Sequence, residues 1–557
     1  MKILWASLIA CATAVTYAAI WAAACNGLGP WGAFFSSLTA LLCAIAAFYT
    51  CQPEKRTLPS KCEWLILLIF AIISFRSFFW LLYPSHGALH VLSPYNLGDL
   101  ALHMQLIQYC ALGAPFWPES PILTSTPLVY PVGMDLLNAI LLLLGAPLIP
   151  SLIWVGSIGA GLSALALWRW GGGFAVAAFL FAGGASEFPH LATGHFDFLQ
   201  EHTEWKNLFL SMWVTQRGLL YALPAGLALL YEWNRELQPN KREVPIWLQA
   251  GIYITLPLFH VHTFLFLTFV LVSGFFLSGD PRIRKYILTF LLISAIPTTI
   301  AIWCVTGGFY GGTALRFLPG WMQDDHPWKF WWDNFGILPI LWLILFFIPS
   351  VYRDPASRCL LFAASFTFLC CCFFSITPWA WDNTKFMLWA YLAIIPLLWK
   401  YLLHPLFWPF RALLCMLLFF SGAISLFGGL KSPGYALISL TELRDVEASL
   451  ISTPPLSRFA AAPDYNHPIA LAGHKRVVGY EGHLWSHGLP YLPVLENFNH
   501  LMNGESNWKS LARKLKVDFL FWGPREESRY PHSKKPWLTQ CPIISQSPQG
   551  VIYDVRL

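Results

Sequence analysis

Long apolar segments alternate with short polar segments along most of this chain. Apolar runs at 1–24, 31–50 and 63–83 have the length of helices that cross the hydrocarbon core of a membrane. Runs of this kind continue to residue 430 and predict a polytopic α-helical membrane domain with about 11–13 transmembrane helices. From residue 431 the apolar runs are shorter and lie between Gly, Pro and polar turns. TELRDVEASL predicts an amphipathic helix, and HPIAL, RVVGY, VDFLFWG and GVIYDV predict strands, so residues 431–557 are predicted to form a soluble α/β domain.

The composition supports a membrane protein. Of 557 residues, 56% are hydrophobic and 11% are charged, which is too few charges for a soluble protein of this size. The net charge is only +6, and the basic residues cluster between apolar runs, so they indicate membrane topology and no nucleic-acid partner. Most of the 13 Cys lie in apolar runs, where a thiol behaves as a small hydrophobe.

Basic loops mark the cytoplasmic side of a membrane protein. The basic stretches at 54–61 and 234–243 are therefore placed inside, and the large polar loops at 84–131, 186–212 and 305–335 are placed outside. The same rule puts the C-terminal domain outside. The sequence thus predicts an integral protein of the plasma (inner) membrane with an extracytoplasmic C-terminal domain.

Two apolar runs do not fit a simple span. Met134–Leu144 is too short to cross a membrane and is predicted as an interfacial helix on the outer surface. Residues 244–278 have basic flanks on both sides and form either a helical hairpin that turns near His260 and His262 or one long tilted span. Two His at positions i and i+2 do not share a helix face, so we interpret them as polar groups of the turn and not as metal ligands.

Ionisable residues gather in four outer loops. Such residues are costly near hydrocarbon and mark candidate functional sites, although each one alone also fits a hydrated loop. A carboxylate in a partly desolvated pocket serves as a general base, and Arg or Lys holds a phosphate leaving group. The residues are Asp99 and His103; Glu187, His190, His195, Asp197, Glu201 and His202; Arg316, Asp324, Asp325 and His326; Asp382 and Lys385.

Asp99 and His103 are the catalytic candidates. They lie four residues apart in YNLGDLALHM, so a helix that starts near Gly98 carries both on one face. The competing role for Asp99 is to cap that helix.

The remaining candidates concern phosphate and sugar binding. Arg316, Lys385 and Arg217 are the candidate cations for a donor phosphate, with contact to lipid headgroups as the competing role for Lys385 and Arg217. The tail segment GYEGHLWSHG combines aromatic and polar side chains that suit a sugar ring, although its Gly residues also suit ordinary turns. The candidates for acceptor or sugar binding are Glu187, His195, Asp382, Tyr480, Trp485 and His487.

A family resemblance rests on several of these features. The D-x-x-x-H element of Asp99 and His103, the following YPVGMD, the many spans and the soluble C-terminal domain resemble the C-type membrane glycosyltransferases (GT-C fold), which include protein O-mannosyltransferases and aminoarabinose transferases. PLFHVHT, WDNTKFMLW and LAGHKRVVGYEGHLWSHG resemble segments of bacterial proteins assigned to this class. The resemblance implies that Asp99 is the catalytic base or helps to bind a metal. Several members have a pair of acidic residues where this chain has one.

The resemblance implies a glycosyltransferase of the GT-C type that moves a hexosyl or pentosyl group from a polyprenyl-phosphate donor to an acceptor hydroxyl on the extracytoplasmic side. The expected partners are this lipid-linked sugar, a glycan, lipid or protein acceptor, and membrane lipids. The cofactor stays unknown: a divalent cation has in its favour only Asp324, Asp325 and His326, and adjacent Asp residues on a loop are more often solvated, so no metal ligand is assigned.

Two other functions stay open from the sequence. A transporter or flippase for a lipid-linked glycan would use buried charges to line a path, but transporters often carry paired repeats, and the sequence shows no convincing repeat. A non-catalytic membrane protein of envelope assembly is the second alternative.

Overall fold

The computed structural model describes residues 1–52, 58–96, 98–236, 244–310 and 315–556. Half of the basic stretch at 54–61 and most of the basic stretch at 234–243 therefore lie outside the described residues. Its helices are α1 Lys2–Ala24, α2 Gly29–Thr50, α3 Lys61–Phe79, α4 Asp99–Ala111, α5 Gly133–Leu143, α6 Leu148–Leu180, α7 Leu219–Glu236, α8 Ile246–Phe259, α9 Val261–Leu277, α10 Pro281–Val305, α11 Pro327–Phe335, α12 Leu338–Leu345, α13 Pro349–Arg353, α14 Pro355–Phe373, α15 Thr384–Leu397, α16 Trp408–Lys431, α17 Leu440–Leu450, α18 Pro468–Leu471, α19 Glu481–Ser486, α20 Leu492–Met502, α21 Trp508–Lys514, α22 Pro524–Arg529 and α23 Trp537–Gln540. Its strands are β1 Leu82–Ser85, β2 Ala88–Val91, β3 Arg316–Phe317, β4 Phe374–Ser375, β5 Tyr435–Ser439, β6 Arg458–Ala460, β7 Lys475–Arg476, β8 Phe519–Trp522, β9 Ile543–Ser547 and β10 Gly550–Asp554.

The predicted polytopic helical fold with a C-terminal α/β domain is confirmed. Within the described residues, eight helical stretches have the length and apolar composition to cross a membrane. They are α1, α2, α3, α6, α10, α14, the continuous stretch Ala380–Leu403 and α16. Their outward faces expose large apolar side chains such as Trp31 and Ile296, a surface that suits lipid and not water. The broader sequence range of about 11–13 spans also includes shorter apolar segments, such as those of α8 and α9.

Residues 244–278 form the hairpin and not the single tilted span. Helix α8 ends at Phe259 and α9 begins at Val261, and between them His260 has an extended backbone (φ −160°, ψ 99°). The hydroxyls of Tyr253 on α8 and Thr268 on α9 are 2.7 Å apart, which requires the two helices to run side by side. The hairpin brings the turn at His260 to one end of the helical bundle.

Helix α5 corrects the prediction of an interfacial helix at Met134–Leu144. The helix has 11 residues and is indeed short, but it packs against α1, α2 and α4 instead of lying on the surface. Its two polar side chains, Asp135 and Asn138, are buried and hydrogen bonded to His103 and Arg217 respectively. Burial is tolerated because these polar groups have partners inside the bundle.

The C-terminal domain is built on a five-stranded sheet of order β7-β6-β8-β10-β9. Strand β6 runs parallel to β7 and β8, while β10 is antiparallel to β8 and β9. The helix predicted at TELRDVEASL is present as α17, and the strands predicted at VDFLFWG and GVIYDV are present as β8 and β10. The membrane helix α16 ends at Lys431, beside the predicted domain boundary.

The segment HPIAL is a helix, α18, where the sequence predicts a strand. Pro468 occupies its first turn, where the missing N–H costs nothing, and Nδ1 of His467 accepts a hydrogen bond from the N–H of Ile469 at 3.2 Å. These two capping features decide the structure of a short apolar run that periodicity alone does not assign.

The loop at 84–131 and the C-terminal domain form one unit. Strand β2 of the loop pairs antiparallel with β5, so that Ala88 lies opposite Ser439. Further along the loop, the carboxylate of Glu119 contacts Arg458 Nη2 and Lys475 Nζ, each at 2.7 Å. The loop therefore holds α4, and with it Asp99, against the C-terminal domain.

Candidate functional site

Two neighbouring cavities lie where the ends of the membrane helices meet the C-terminal domain. The first, the carboxylate chamber, has a volume of about 270 Å³. Its lining combines carboxylates, lysines and aromatic rings from the outer loops and the C-terminal domain. The residues are Tyr95, Asp99, Leu102, Tyr130, Glu204, Lys206, Ser211, Gln216, Trp379, Trp381, Asp382, Lys385, His483, Ser486 and His487.

Asp99 is placed in this chamber by the start of α4. Gly98 is the residue before the helix and has a positive φ of +85°, and a Cβ there would lie 3.2 Å from Nε2 of His483, so the position requires glycine. Asp99 is the first helical residue, and no side-chain hydrogen bond caps the helix within the described part of the chain. The capping role considered for Asp99 is therefore not the one it has.

The environment of Asp99 makes it a stronger base than an ordinary aspartate. Burial raises the pKa of its carboxyl, and the charge of Asp382 acts in the same direction, while His103 and Lys385 oppose the increase in pKa. A raised pKa favours proton uptake from a substrate hydroxyl.

Lys385 and Asp382 form an ion pair in the same chamber. The Lys385 Nζ to Asp382 Oδ1 distance is 2.9 Å, and both side chains are largely buried. Both residues come from the WDNTKF segment, in which a short 3-10 turn leads directly into α15 and spaces them three residues apart. Lys385 is thus held by a carboxylate at the wall of the chamber, where an anionic ligand would meet it.

Glu204 and Lys206 add a second acid and a second cation from the loop at 186–212. Burial raises the pKa of Glu204 and lowers the pKa of Lys206, and each charge partly offsets the effect on the other. Lys206 donates to the Gln200 carbonyl at 2.7 Å and lies 5.7 Å from the Tyr95 ring centroid. Both groups are candidates that the sequence analysis did not select.

Two tryptophans form an aromatic wall of the carboxylate chamber. The Trp379 and Trp381 rings are stacked with centroids 5.1 Å apart and an interplanar angle of 26°. Trp381 donates its indole N–H to the Glu204 carbonyl at 3.0 Å, which fixes the wall to the loop that carries Glu204 and Lys206. Aromatic faces beside charged groups are a typical lining for a carbohydrate ligand.

The second cavity, the histidine chamber, has a volume of about 370 Å³. It shares Tyr130, Gln216, Lys385, Ser486 and His487 with the carboxylate chamber, so the two are adjacent. Four imidazoles line it together with apolar side chains. The remaining lining residues are His103, Val129, Pro131, Met134, Asp135, Gly218, Phe259, His260, Val261, His262, Val305, Thr306, Phe309, Ile376, Thr377, Pro378 and Gly488.

His103 lines the histidine chamber as part of a pair. Its Nδ1 lies 2.8 Å from Oδ1 of Asp135 on α5, and both side chains are almost completely buried. Its Nε2 lies 3.5 Å from the Tyr130 hydroxyl. The sequence placed His103 next to Asp99 but did not identify Asp135, which is 32 residues away and reaches His103 only because α4 and α5 pack together.

His487 and Tyr130 separate the two chambers. Their rings lie 5.0 Å apart, and the His487 ring is parallel to His483 within 14°. Burial lowers the pKa of His487 to about 4, with a contribution from Lys385, and burial lowers the pKa of His483 to about 3. These two imidazoles are therefore neutral near pH 7 and act as hydrogen-bonding groups, not as cations.

Other predicted site residues lie outside both chambers. Glu187 is buried and accepts the Asp197 N–H at 3.0 Å, so its carboxylate holds its own loop together. His195 is exposed on that loop, and Arg316 is exposed and donates to the Pro378 carbonyl at 2.7 Å. Arg217 is buried behind the histidine chamber, where it donates to Asn138 Oδ1 at 2.6 Å.

The aromatic candidates of the tail lie at the edge of the site. Tyr480 is partly exposed and packs edge-on against His483 with centroids 5.2 Å apart, while Trp485 is about half exposed. Neither lines a chamber. Their sequence neighbours His483 and His487 take the inward positions of the same short helix and its end.

The candidate metal ligands of the third loop are exposed. Asp324, Asp325 and His326 lie at the surface, and Asp324 Oδ1 accepts the backbone N–H of His326 at 2.9 Å. Over the described residues, no three His, Cys, Asp or Glu side chains are grouped closely enough to hold a metal ion.

Comparisons with known proteins give structural similarity only. No protein-family model and no curated protein matches the chain. The apo form of the Archaeoglobus fulgidus oligosaccharyltransferase is similar over 83% of this chain and 69% of its own chain. The same protein in complex with Zn and sulfate is similar over 88% of this chain and 73% of its own. Both comparisons give 14% identity and a TM-score of 0.46. ArnT from Cupriavidus metallidurans in the apo state is similar over 88% of this chain and 97% of its own, with 11% identity and a TM-score of 0.44.

These are proteins of the kind to which the sequence resemblance points. At such identities and TM-scores the similarity is one of general architecture and says nothing about substrate or mechanism.

Proposed function

We propose that this chain is a membrane glycosyltransferase that moves a sugar from a polyprenyl-phosphate donor to an acceptor hydroxyl on the extracytoplasmic side. The observation that carries the proposal is the position of Asp99, a carboxylate with a raised pKa in a chamber that also contains Lys385, Lys206 and an aromatic wall. A base, cations and a surface for a sugar ring are the three requirements of such a transfer.

In the proposed reaction the acceptor hydroxyl lies against Asp99. As the oxygen of the acceptor forms a bond to the anomeric carbon, its proton passes to the carboxylate of Asp99. The bond from the anomeric carbon to the phosphate oxygen breaks, and its electron pair leaves with the polyprenyl phosphate. The ammonium groups of Lys385 and Lys206 stabilise the negative charge that collects on the phosphate.

The extracytoplasmic side is supported by charge and by geometry together. The basic stretches between spans favour one common side of the membrane for the loops that carry Asp99, Lys206 and Lys385. In the folded chain the same three side chains line one cavity, as loops on a common side must if they are to build one site.

The experiment is a transfer assay on the full chain in detergent, with radiolabelled polyprenyl-phosphate glucose, mannose and galactose as donors and an envelope fraction of the source cells as acceptor. Asp99→Asn keeps the size of the side chain and removes the base, and we expect it to reduce transfer at least 100-fold. Asp325→Asn, on the exposed third loop, is the matched control and should transfer at the wild-type rate.

Two results would contradict the proposal. Transfer by Asp99→Asn at the wild-type rate would exclude Asp99 as the base. A wild-type chain that leaves every labelled sugar on its carrier would be expected for a transporter or an assembly protein, and not for a glycosyltransferase.

A further inference from the structure

The histidine chamber contains buried polar atoms that have no partner. Nε2 of His260 and Oδ2 of Asp135 are both buried, and neither has a hydrogen-bond partner among the described residues. Both residues line the chamber. A buried polar atom without a partner is costly, so two of them at one cavity point to a ligand that completes their hydrogen bonds.

The partners of His260 fix which of its nitrogens carries the proton. Nδ1 accepts the backbone N–H of Thr263 at 3.3 Å, and the Thr263 hydroxyl is 2.7 Å from the same atom. An atom that accepts a backbone N–H carries no proton, so the proton of this imidazole is on Nε2. His260 thus offers an N–H donor at the wall of the chamber.

The pair of His103 and Asp135 provides a hydrogen-bond acceptor to complement the donor of His260. A carboxylate only accepts, so Nδ1 of His103 carries the proton that binds Asp135. Nε2 of His103 is then left for a hydrogen bond on the chamber side, near the Tyr130 hydroxyl. Arg217 stabilises this arrangement from behind, because it holds Asn138 on the same helix and its charge attracts Asp135.

We infer that the histidine chamber binds the sugar ring of the donor, with His103 and His260 as the residues that recognise its hydroxyl groups. A sugar hydroxyl both donates and accepts a hydrogen bond, and the chamber provides an acceptor in Oδ2 of Asp135, a donor in Nε2 of His260 and a ring nitrogen of His103. The apolar side chains of Met134, Phe259 and Ile376 provide the surface for the C–H face of the ring.

This assignment rests on the proposed function and gives each chamber one substrate. Lys385 lines both chambers, so a donor whose phosphate contacts Lys385 has room for its sugar in the histidine chamber. The carboxylate chamber, with Asp99, is then left for the acceptor. Asp135 orients His103 through Oδ1 and offers its unpartnered Oδ2 to a sugar hydroxyl.

The test compares two kinds of ligand on the full chain in detergent. Farnesyl phosphate carries the phosphate and lipid alone, and farnesyl-phosphate glucose, mannose and galactose add the sugar. We expect the wild type to bind at least one sugar-bearing ligand about tenfold more tightly than farnesyl phosphate, as two net hydrogen bonds would give.

His260→Asn is the informative variant. Asn keeps an oxygen that caps α9 in place of Nδ1, and it is too short to present a donor where Nε2 lies. We expect it to weaken binding of the preferred sugar-bearing ligand about 5-fold and to leave farnesyl phosphate binding unchanged. His86→Asn, in the exposed turn between β1 and β2, tolerates the positive φ of +45° there and should change neither affinity.

Two further variants guard against a fold defect. Asp135→Asn releases the orientation of His103 and should weaken binding of the sugar-bearing ligand about 3-fold, with farnesyl phosphate again unchanged. Thr377→Trp fills the chamber from a partly exposed position and should remove the preference for sugar-bearing ligands.

The outcomes separate this inference from the proposed function. The sugar subsite is overturned if the wild type shows no preference for any sugar-bearing ligand, or if folded His260→Asn and Thr377→Trp keep the wild-type preference. In either case the proposed function still stands if the wild type transfers sugar in the transfer assay and Asp99→Asn does not. If the wild type transfers no sugar and binds neither kind of ligand, both proposals are wrong.

Discussion

Two carboxylates of the first outer loop, Glu119 and Asp99, have opposite environments. Glu119 is held by Arg458 and Lys475 at 2.7 Å each, and it accepts the Ser125 N–H at 2.6 Å. Burial alone would raise the pKa of Glu119, but the hydrogen bonds from Lys475 and Ser125 outweigh burial and hold the pKa below its usual value. Asp99 faces a chamber instead, and burial raises its pKa.

The difference distinguishes a carboxylate that stabilises the fold from one that is available for chemistry. Glu119 is bound on both oxygens, so a proton or a substrate finds no free position on it. Asp99 is held by its backbone at the start of α4 and keeps its carboxylate for the chamber. A raised pKa in a cleft is a physical indication of a functional residue, and the paired Glu119 lacks it.

The largest effect should come from making Asp382, the paired carboxylate inside the site, resemble Asp99. Lys385→Met removes the partner of Asp382 and one cation of the carboxylate chamber. Because the charge-assisted hydrogen bond from Lys385 to the phosphate is then lost, affinity for farnesyl phosphate should fall about 10- to 100-fold. Binding measurements on the detergent-solubilised chain provide the check. The exposed Lys329, which pairs with Asp333, gives the control Lys329→Met, and equal affinities in the two variants would contradict the prediction.

The second effect removes the charge of Glu119. Because its pKa is lowered in the folded chain, Glu119 contributes stability above its unfolded pKa and loses this contribution as the pH falls through the folded value. Glu119→Gln should therefore reduce stability at pH 7 by about 1–3 kcal/mol, and melting curves should show the difference from wild type shrink as the pH falls below the unfolded pKa of Glu. Glu505→Gln, at an exposed carboxylate that pairs with His500, is the control. A similar loss of stability in this variant would contradict the stabilising role of the Glu119 pairs.

The smallest effect has the opposite sign. Since the folded pKa of Asp99 is raised, its ionised form destabilises the fold above the unfolded pKa, and this cost disappears as the pH falls below both values. Asp99→Asn should raise Tm at pH 7.5 by about 1–2 °C, and the gain should shrink toward pH 4. A lower Tm for this inactive variant would mean that Asp99 serves the fold after all.

The sequence predicts the elements that depend on local signals. Gly98 and the spacing of Asp99 and His103 indicate the start of α4, and the amphipathic pattern of TELRDVEASL indicates α17. The basic flanks of residues 244–278 favour a hairpin, and the hydrogen bond between Tyr253 and Thr268 shows that it forms.

The sequence does not predict what depends on distant partners. Met134–Leu144 is apolar enough for a surface helix, and only the pairing of Asp135 with His103 explains its burial. Glu187 is one of several charges in its loop, and nothing in the sequence shows that Asp197 and Ser186 occupy its carboxylate. The sequence locates ionisable residues near the membrane edge but does not distinguish those that pair internally from those that face a cavity.

The pairing of β2 with β5 has a consequence for the order of assembly. Ala88 meets Ser439, so the strand beside α4 stays unpaired on one edge until the C-terminal domain has been synthesised. A chain that enters the membrane from its N-terminus exposes Asp99 to water through all of this time, because His483 and His487 are not yet present. Asp99 then has the pKa of a solvated aspartate, and burial raises this pKa only when the C-terminal domain closes over it. Under the proposed function, the nascent chain would therefore lack its catalytic base until this domain has folded.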